Sequence, residues 1–151
     1  MIFDALFEFL DDAELIANAT TDYVPTTCKE LDMQAENLEM GAGEPIWLNI
    51  RVGTTPYSGG TSCDFKLFAD DTSEGHDCSS NIVVATGARP IGELSAGAWV
   101  FRAPLPVNFD AERYIVLGVT TVGNVIAGTL DVWLDHGPQS SFDTQVSPSN
   151  V

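Results

Sequence analysis

Beyond residue 44, apolar and polar positions alternate along the chain with a period of two. Ile46, Leu48, Ile50 and Val52 alternate with Trp47, Asn49, Arg51 and Gly53. Cys63, Phe65, Leu67 and Ala69 alternate with Asp64, Lys66, Phe68 and Asp70. Ile82 to Thr86 is a short β-branched run, and Trp99, Phe101 and Ala103 alternate with Val100 and Arg102. Tyr114 to Thr121 is almost wholly β-prone, with Ile115, Leu117 and Val119 on one face. In the last run Ile126, Gly128, Leu130, Val132 and Leu134 share a face, and Ala127, Thr129, Asp131, Trp133 and Asp135 the other. Successive side chains of a strand point to opposite faces, so each run predicts a half-buried strand.

Turn-forming residues separate these runs. Pro45 opens the first, and Thr55-Pro56-Tyr57-Ser58-Gly59-Gly60 and Asp70-Asp71-Thr72-Ser73-Glu74-Gly75 follow the first and second. Ser95-Ala96-Gly97 precedes Trp99, and Val122-Gly123-Asn124 predicts a hairpin turn between the last two strands. Strands at this spacing without alternating helices predict an all-β, antiparallel sandwich or jelly roll in one domain.

The first 43 residues carry a mixed signal. Phe3, Leu6, Phe7 and Leu10 have helical spacing, whereas Phe7-Glu8-Phe9 fits a strand, and Leu15 to Val24 fits one extended strand. We expect an N-terminal arm over 1–14, a jelly-roll domain over 15–136 and a C-terminal tail over 137–151. The tail is rich in Ser, Pro, Gln and Asn. A plain edge strand is the alternative for the arm.

Charge narrows the choice of partners. Lys and Arg number 6 against 22 Asp and Glu, for a formal net charge of -16. Phosphate contacts depend on Lys and Arg, so neither nucleic acid nor an anionic membrane is an expected partner. No apolar run is long enough to span a membrane, and the start Met1-Ile2-Phe3-Asp4 lacks the basic flank of a secretory signal. A cytoplasmic site of synthesis follows as the expectation.

Candidate chemistry is sparse. Cys28, Cys63 and Cys78 are an odd set; Cys63 and Cys78 either pair under oxidising conditions or remain small buried thiols. Glu74, His76, Asp77 and Cys78 crowd four metal-binding types onto one loop, a poor arrangement for closing a tetrahedral site. Asp70, Asp71 and Glu74 lack the ligand spacing of a calcium loop, which leaves either a weak cation site or a charged hairpin loop that keeps the sheet end soluble. Nucleophile-elbow and phosphate-loop motifs are missing, so we expect no catalytic residues, no cofactor and no metal. Trp99 shares a face with Phe101 and is expected in the core. Trp47 and Trp133 lie on polar faces, where a large aromatic either marks an interface or packs inward under a loop.

Several segments, taken in order, resemble a family of tailed-phage capsid cement (decoration) proteins of the Bordetella podophage type. Gly43-Glu44-Pro45-Ile46-Trp47-Leu48 resembles its G-E-P-L-W-L segment. Ala96 to Arg102 resembles its strand after an A-G pair, Leu105-Pro106 its L-P step, and Glu112 to Leu117 its E-R-Y-L-x-L strand. Thr121 to Leu134, with Ala127-Gly128-Thr129, is similar to its closing hairpin, and Met1 to Asp4 to its start. Two segments depart from the pattern: Pro25 to Met40 is longer and more acidic, and the loop between Cys63 and Cys78 is not part of it.

The resemblance implies a single jelly roll without enzymatic activity. It implies a homo-oligomer, a dimer before a trimer, on the outer surface of a virion head assembled in the host cytoplasm. Its partner there is the major capsid protein, and its role is to bridge neighbouring subunits of the expanded, DNA-filled shell. From their facing, Ile2, Phe3, Phe7, Phe9, Trp47, Arg51 and Trp133 are the residues expected to meet the capsid or another copy. The alternative is a carbohydrate-binding or host-attachment module in which exposed indoles stack on sugars.

Overall fold

The computed structural model describes residues 7–16, 22–23, 30–34, 45–72, 81–107, 109 and 112–136. Twelve strands lie among them. The longer ones are β1 (Glu8–Glu14), β4 (Trp47–Val52), β6 (Ser62–Asp70), β7 (Ile82–Ala85), β9 (Trp99–Pro104), β10 (Tyr114–Val122) and β12 (Thr129–Asp135). The short ones are β2 (Asp22–Tyr23), β3 (Leu31–Asp32), β5 (Ser58–Gly59), β8 (Arg89–Pro90) and β11 (Val125–Ala127).

The strands build two antiparallel sheets. One has four strands in the order β1-β12-β4-β9. The other runs β2-β10-β6-β7, with β3 also on β10 and β8 also on β6. The pairs nest inward from the chain ends: β1 with β12, β2 and β3 with β10, β4 with β9, and β6 with β7 and β8. The longest ladder runs without a break from Tyr114↔Asp70 to Val122↔Ser62.

A single apolar cluster joins the sheets. Leu48, Ile50 and Val52 of β4 and Leu130, Val132 and Leu134 of β12 meet Cys63, Phe65 and Leu67 of β6 and Ile115, Leu117 and Val119 of β10. These are the inward positions of the period-two pattern. Each fully buried Leu, Ile or Phe side chain contributes roughly 1.5–3 kcal/mol by leaving water. Tyr57 closes one end. Its ring meets Phe65 edge-on at 5.7 Å, and its hydroxyl donates to the Leu15 carbonyl at 2.8 Å. On the opposite face of the second sheet, Phe68 and Val116 are direct cross-strand partners and are also buried.

Of the two readings of the N-terminal segment, the edge strand is the one seen among the described residues. From Glu8 onward the segment lies beside β12, with Phe9 and Leu10 both 2% exposed. Register shifts at Glu8/Leu10 and at Leu10/Ala13 place two successive side chains inward, which strict alternation forbids. Of the stretch Leu15 to Val24, Asp22–Tyr23 forms a strand and Leu15 and Ile16 follow the end of β1, and the other residues lie outside the described ones.

Two expectations at the C-terminal end also change. The turn at Gly123 does not join two strands of one hairpin: β10 and β12 lie in different sheets, and β11 pairs with β5. Gly128 then separates β11 from β12, and the parity reverses across it. Val125 is buried and Ile126 is 64% exposed, opposite to the alternation read through Gly128.

Candidate functional site

The outer face of the four-stranded sheet carries an unusual set of side chains. Cross-strand register places Glu8, Trp133, Asn49 and Arg102 in one row across β1, β12, β4 and β9. The adjoining row holds Asp131, Arg51 and Trp99. All of these but the buried Asn49 line a groove of about 740 Å³, with Asp11, Asp12 and Asp135 also on its wall.

Trp99 is the largest correction to the sequence reading. It is 50% exposed rather than in the core. A register shift in the β4–β9 ladder, between Ile50 and Arg51, explains it: Phe101 opposes Ile50 while Trp99 opposes Arg51. Val100 and Phe101 therefore both turn toward the core, and Trp99 is left outside. There it packs on Trp133, centroids 5.7 Å apart and planes tilted by 58°. The Arg102 guanidinium lies 5.2 Å from the Trp99 ring centroid. Such aromatic and cation–π contacts each contribute about 0.5–1.5 kcal/mol.

Polar groups fix the face. Arg51 grips Asp131, donating from Nε at 3.1 Å and Nη2 at 2.6 Å. Asp131 also accepts the Asp12 backbone N–H at 2.9 Å. Asp12 sits at φ 45° and ties three segments together. Its carboxylate accepts the Thr54 N–H at 2.7 Å, the Thr54 hydroxyl at 2.6 Å and the Thr129 hydroxyl at 2.6 Å. The Thr129 bond first, then those from Thr54, hold the Asp12 carboxyl below the usual carboxylate range. Trp133 Nε1 donates to Asp135 at 3.2 Å, which orients that indole. Asn49 is 1% exposed; its Nδ2 reaches the Trp47 carbonyl at 3.4 Å, and its Oδ1 has no partner among the described residues.

The residues expected at an interface thus divide. Arg51 and Trp133 are in the groove, and Trp47 is half-buried on the same sheet face. Phe7 is exposed just before β1. Phe9 is inside the protein's own core, because it follows the outward Glu8 and so faces inward, and it is not presented to a partner. Ile2 and Phe3 lie outside the described residues. Trp99 and Arg102 were not among the expected residues. Their signal in the sequence was the Trp-x-x-Arg spacing on β9, legible only once the bulge is known.

Cys63 is a free thiol in the core, pushed up to about 11 by burial. Cys28 and Cys78 lie outside the described residues, as do Glu74, His76, Asp77 and the tail over 137–151. Asp70 accepts the Thr72 N–H and hydroxyl, each at 2.9 Å, in a local turn. Among the described residues no three His, Cys, Asp or Glu side chains gather as a metal site.

No curated protein matches the chain. The family model described as Bbp16 matches residues 16–134, a span that takes in ten of the strands from β2 onward and all but the last residue of β12. The chain belongs to the Bbp16 family.

Proposed function

We propose that this protein is a capsid cement: it sits on the outer surface of a phage head and bridges neighbouring major capsid proteins of the expanded, DNA-filled shell. In this reading it acts as a homodimer and transforms no molecule. The nested strand pairing supports reading the sandwich as a jelly roll, since it is one long antiparallel hairpin wrapped into two sheets. The observation that carries the proposal is the Trp99, Trp133 and Arg102 face on an otherwise acidic sandwich. Trp and Arg are the residue types that anchor protein interfaces, and here they stand on a stiff four-stranded floor. The net charge of -16 keeps such a clip off DNA and RNA during assembly.

Packaged DNA presses the shell outward, and joints between subunits open first. A clip stabilises the closed lattice only by binding the expanded shell better than its precursor. A symmetric oligomer that grips two subunits multiplies modest affinities. The sugar-stacking alternative has weaker support. Arg102 lies over Trp99, and the two indoles are tilted by 58°, so they offer no flat platform.

Mature heads purified with and without this protein test the reading. Labelled protein should decorate expanded heads and not precursor shells, and undecorated heads should release DNA at lower temperature. Equal thermal release, or binding to neither form, would reject it.

A further inference from the structure

We propose that two copies of this chain pair through the outer face of the four-stranded sheet, about a two-fold axis running along the strands between β12 and β4. The inference rests on the homodimer in the reading above and assigns its surface. The charges on this face are sorted by edge. Glu8 and Asp11, which have no partners among the described residues, are on the β1 side. Arg102, with no carboxylate partner among the described residues, is on the β9 side. Between them Arg51 and Asp131 neutralise each other. Asp12, held by Thr54 and Thr129, and Asp135, which accepts the Trp133 indole N–H, also line the face, so five carboxylates stand there with two of the chain's six basic residues, and Arg102 is the cation left to offset acid when the face meets its own copy.

The sorting selects a geometry. Strands lie about 4.8 Å apart, so Glu8 and Arg102, at opposite ends of one row, are separated by roughly 14 Å. An axis along the strands lays each β9 over the other copy's β1, and two Arg102–Glu8 pairs form from one kind of contact. An axis across the strands would lay β1 on β1 and set like charges together. In the favoured arrangement the Trp133 and Asn49 positions face each other near the axis, and the exposed Trp99 approaches Asp11 of the second copy. Closed two-fold pairing requires this self-complementarity.

Sedimentation equilibrium on the full chain and two charge reversals tests it. Glu8→Lys alone and Arg102→Glu alone each bring like charges together in both pairs, and each should weaken dimerisation on the order of tenfold or more. An equimolar mixture should restore near wild-type affinity, because the altered positions then face each other with opposite charge. Melting curves check that each variant folds. Dilution of the unaltered protein is the mutation-free arm, and its indole emission should shift to the red as Trp99 is uncovered. The proposal is overturned if neither reversal weakens the dimer, if the mixture associates no better than either variant, or if dilution leaves the emission unchanged. Head binding by the same variants is scored separately, so a dimer that uses another face leaves the cement reading standing.

Discussion

Gly128→Ala tests the packing at the closed end of the sandwich. A Cβ built at Gly128 would come within 2.5, 2.6 and 2.7 Å of three Tyr57 ring atoms. Ordinary contacts lie roughly 1 Å further out, near 3.5–4.0 Å. The ring has nowhere to retreat, because its hydroxyl is bonded to the Leu15 carbonyl and its edge meets Phe65. Overpacking of this kind costs about 1–3 kcal/mol. The backbone at φ 156° adds about 1–3 kcal/mol for a residue with a Cβ. The expected loss is therefore about 2–6 kcal/mol. For a chain of this length it lowers the melting temperature by roughly 5–20 °C. Urea titration followed by near-UV circular dichroism and calorimetry would read it. Gly92→Ala is the control, since a Cβ there meets nothing within 4 Å, and its effect should stay within about 1 kcal/mol. A Tyr57→Leu background should soften the Gly128→Ala penalty. If Gly128→Ala costs no more than Gly92→Ala, or the same in both backgrounds, the clash is not what fixes that site.

Phe9→Ala should cost about 3–5 kcal/mol in denaturant titrations, because Phe9 is core and not arm; a loss below 1 kcal/mol would return the segment to the surface. The Asp12 carboxyl, held down by Thr129 and Thr54, and the Asp32 carboxyl, held down by the Arg113 guanidinium and the Gln34 N–H, should titrate below the unfolded value near 3.9. Their stabilising contribution is complete above that value and is lost as pH falls through the lower folded values, which carboxyl NMR titration with parallel melts would follow; titration at or above 3.9 would contradict the hydrogen bonding seen. Cys63 should resist iodoacetamide at pH 8 in the folded protein and react once it unfolds, as peptide mass spectrometry would show; rapid native labelling would contradict its burial.

Local pattern determined where the strands lie and which face of most of them is apolar. Leu48, Ile50 and Val52, and likewise Cys63, Phe65 and Leu67, turn inward as alternation requires, because a pleated strand has no other way to bury one side. The acidic balance and the all-β class were legible for the same reason: both are sums over residues and need no partner. Tertiary structure decided what alternation cannot encode. One extra residue in a ladder reverses every face beyond it, so bulges sent Trp99 outward and turned Leu10 inward beside Phe9. Strand partners are chosen across the whole chain, and β11 therefore lies against β5 instead of closing a hairpin at Gly123. The candidate site depends on both effects. Glu8, Trp133, Asn49 and Arg102 are scattered along the sequence, and only the register of four strands brings them into one row.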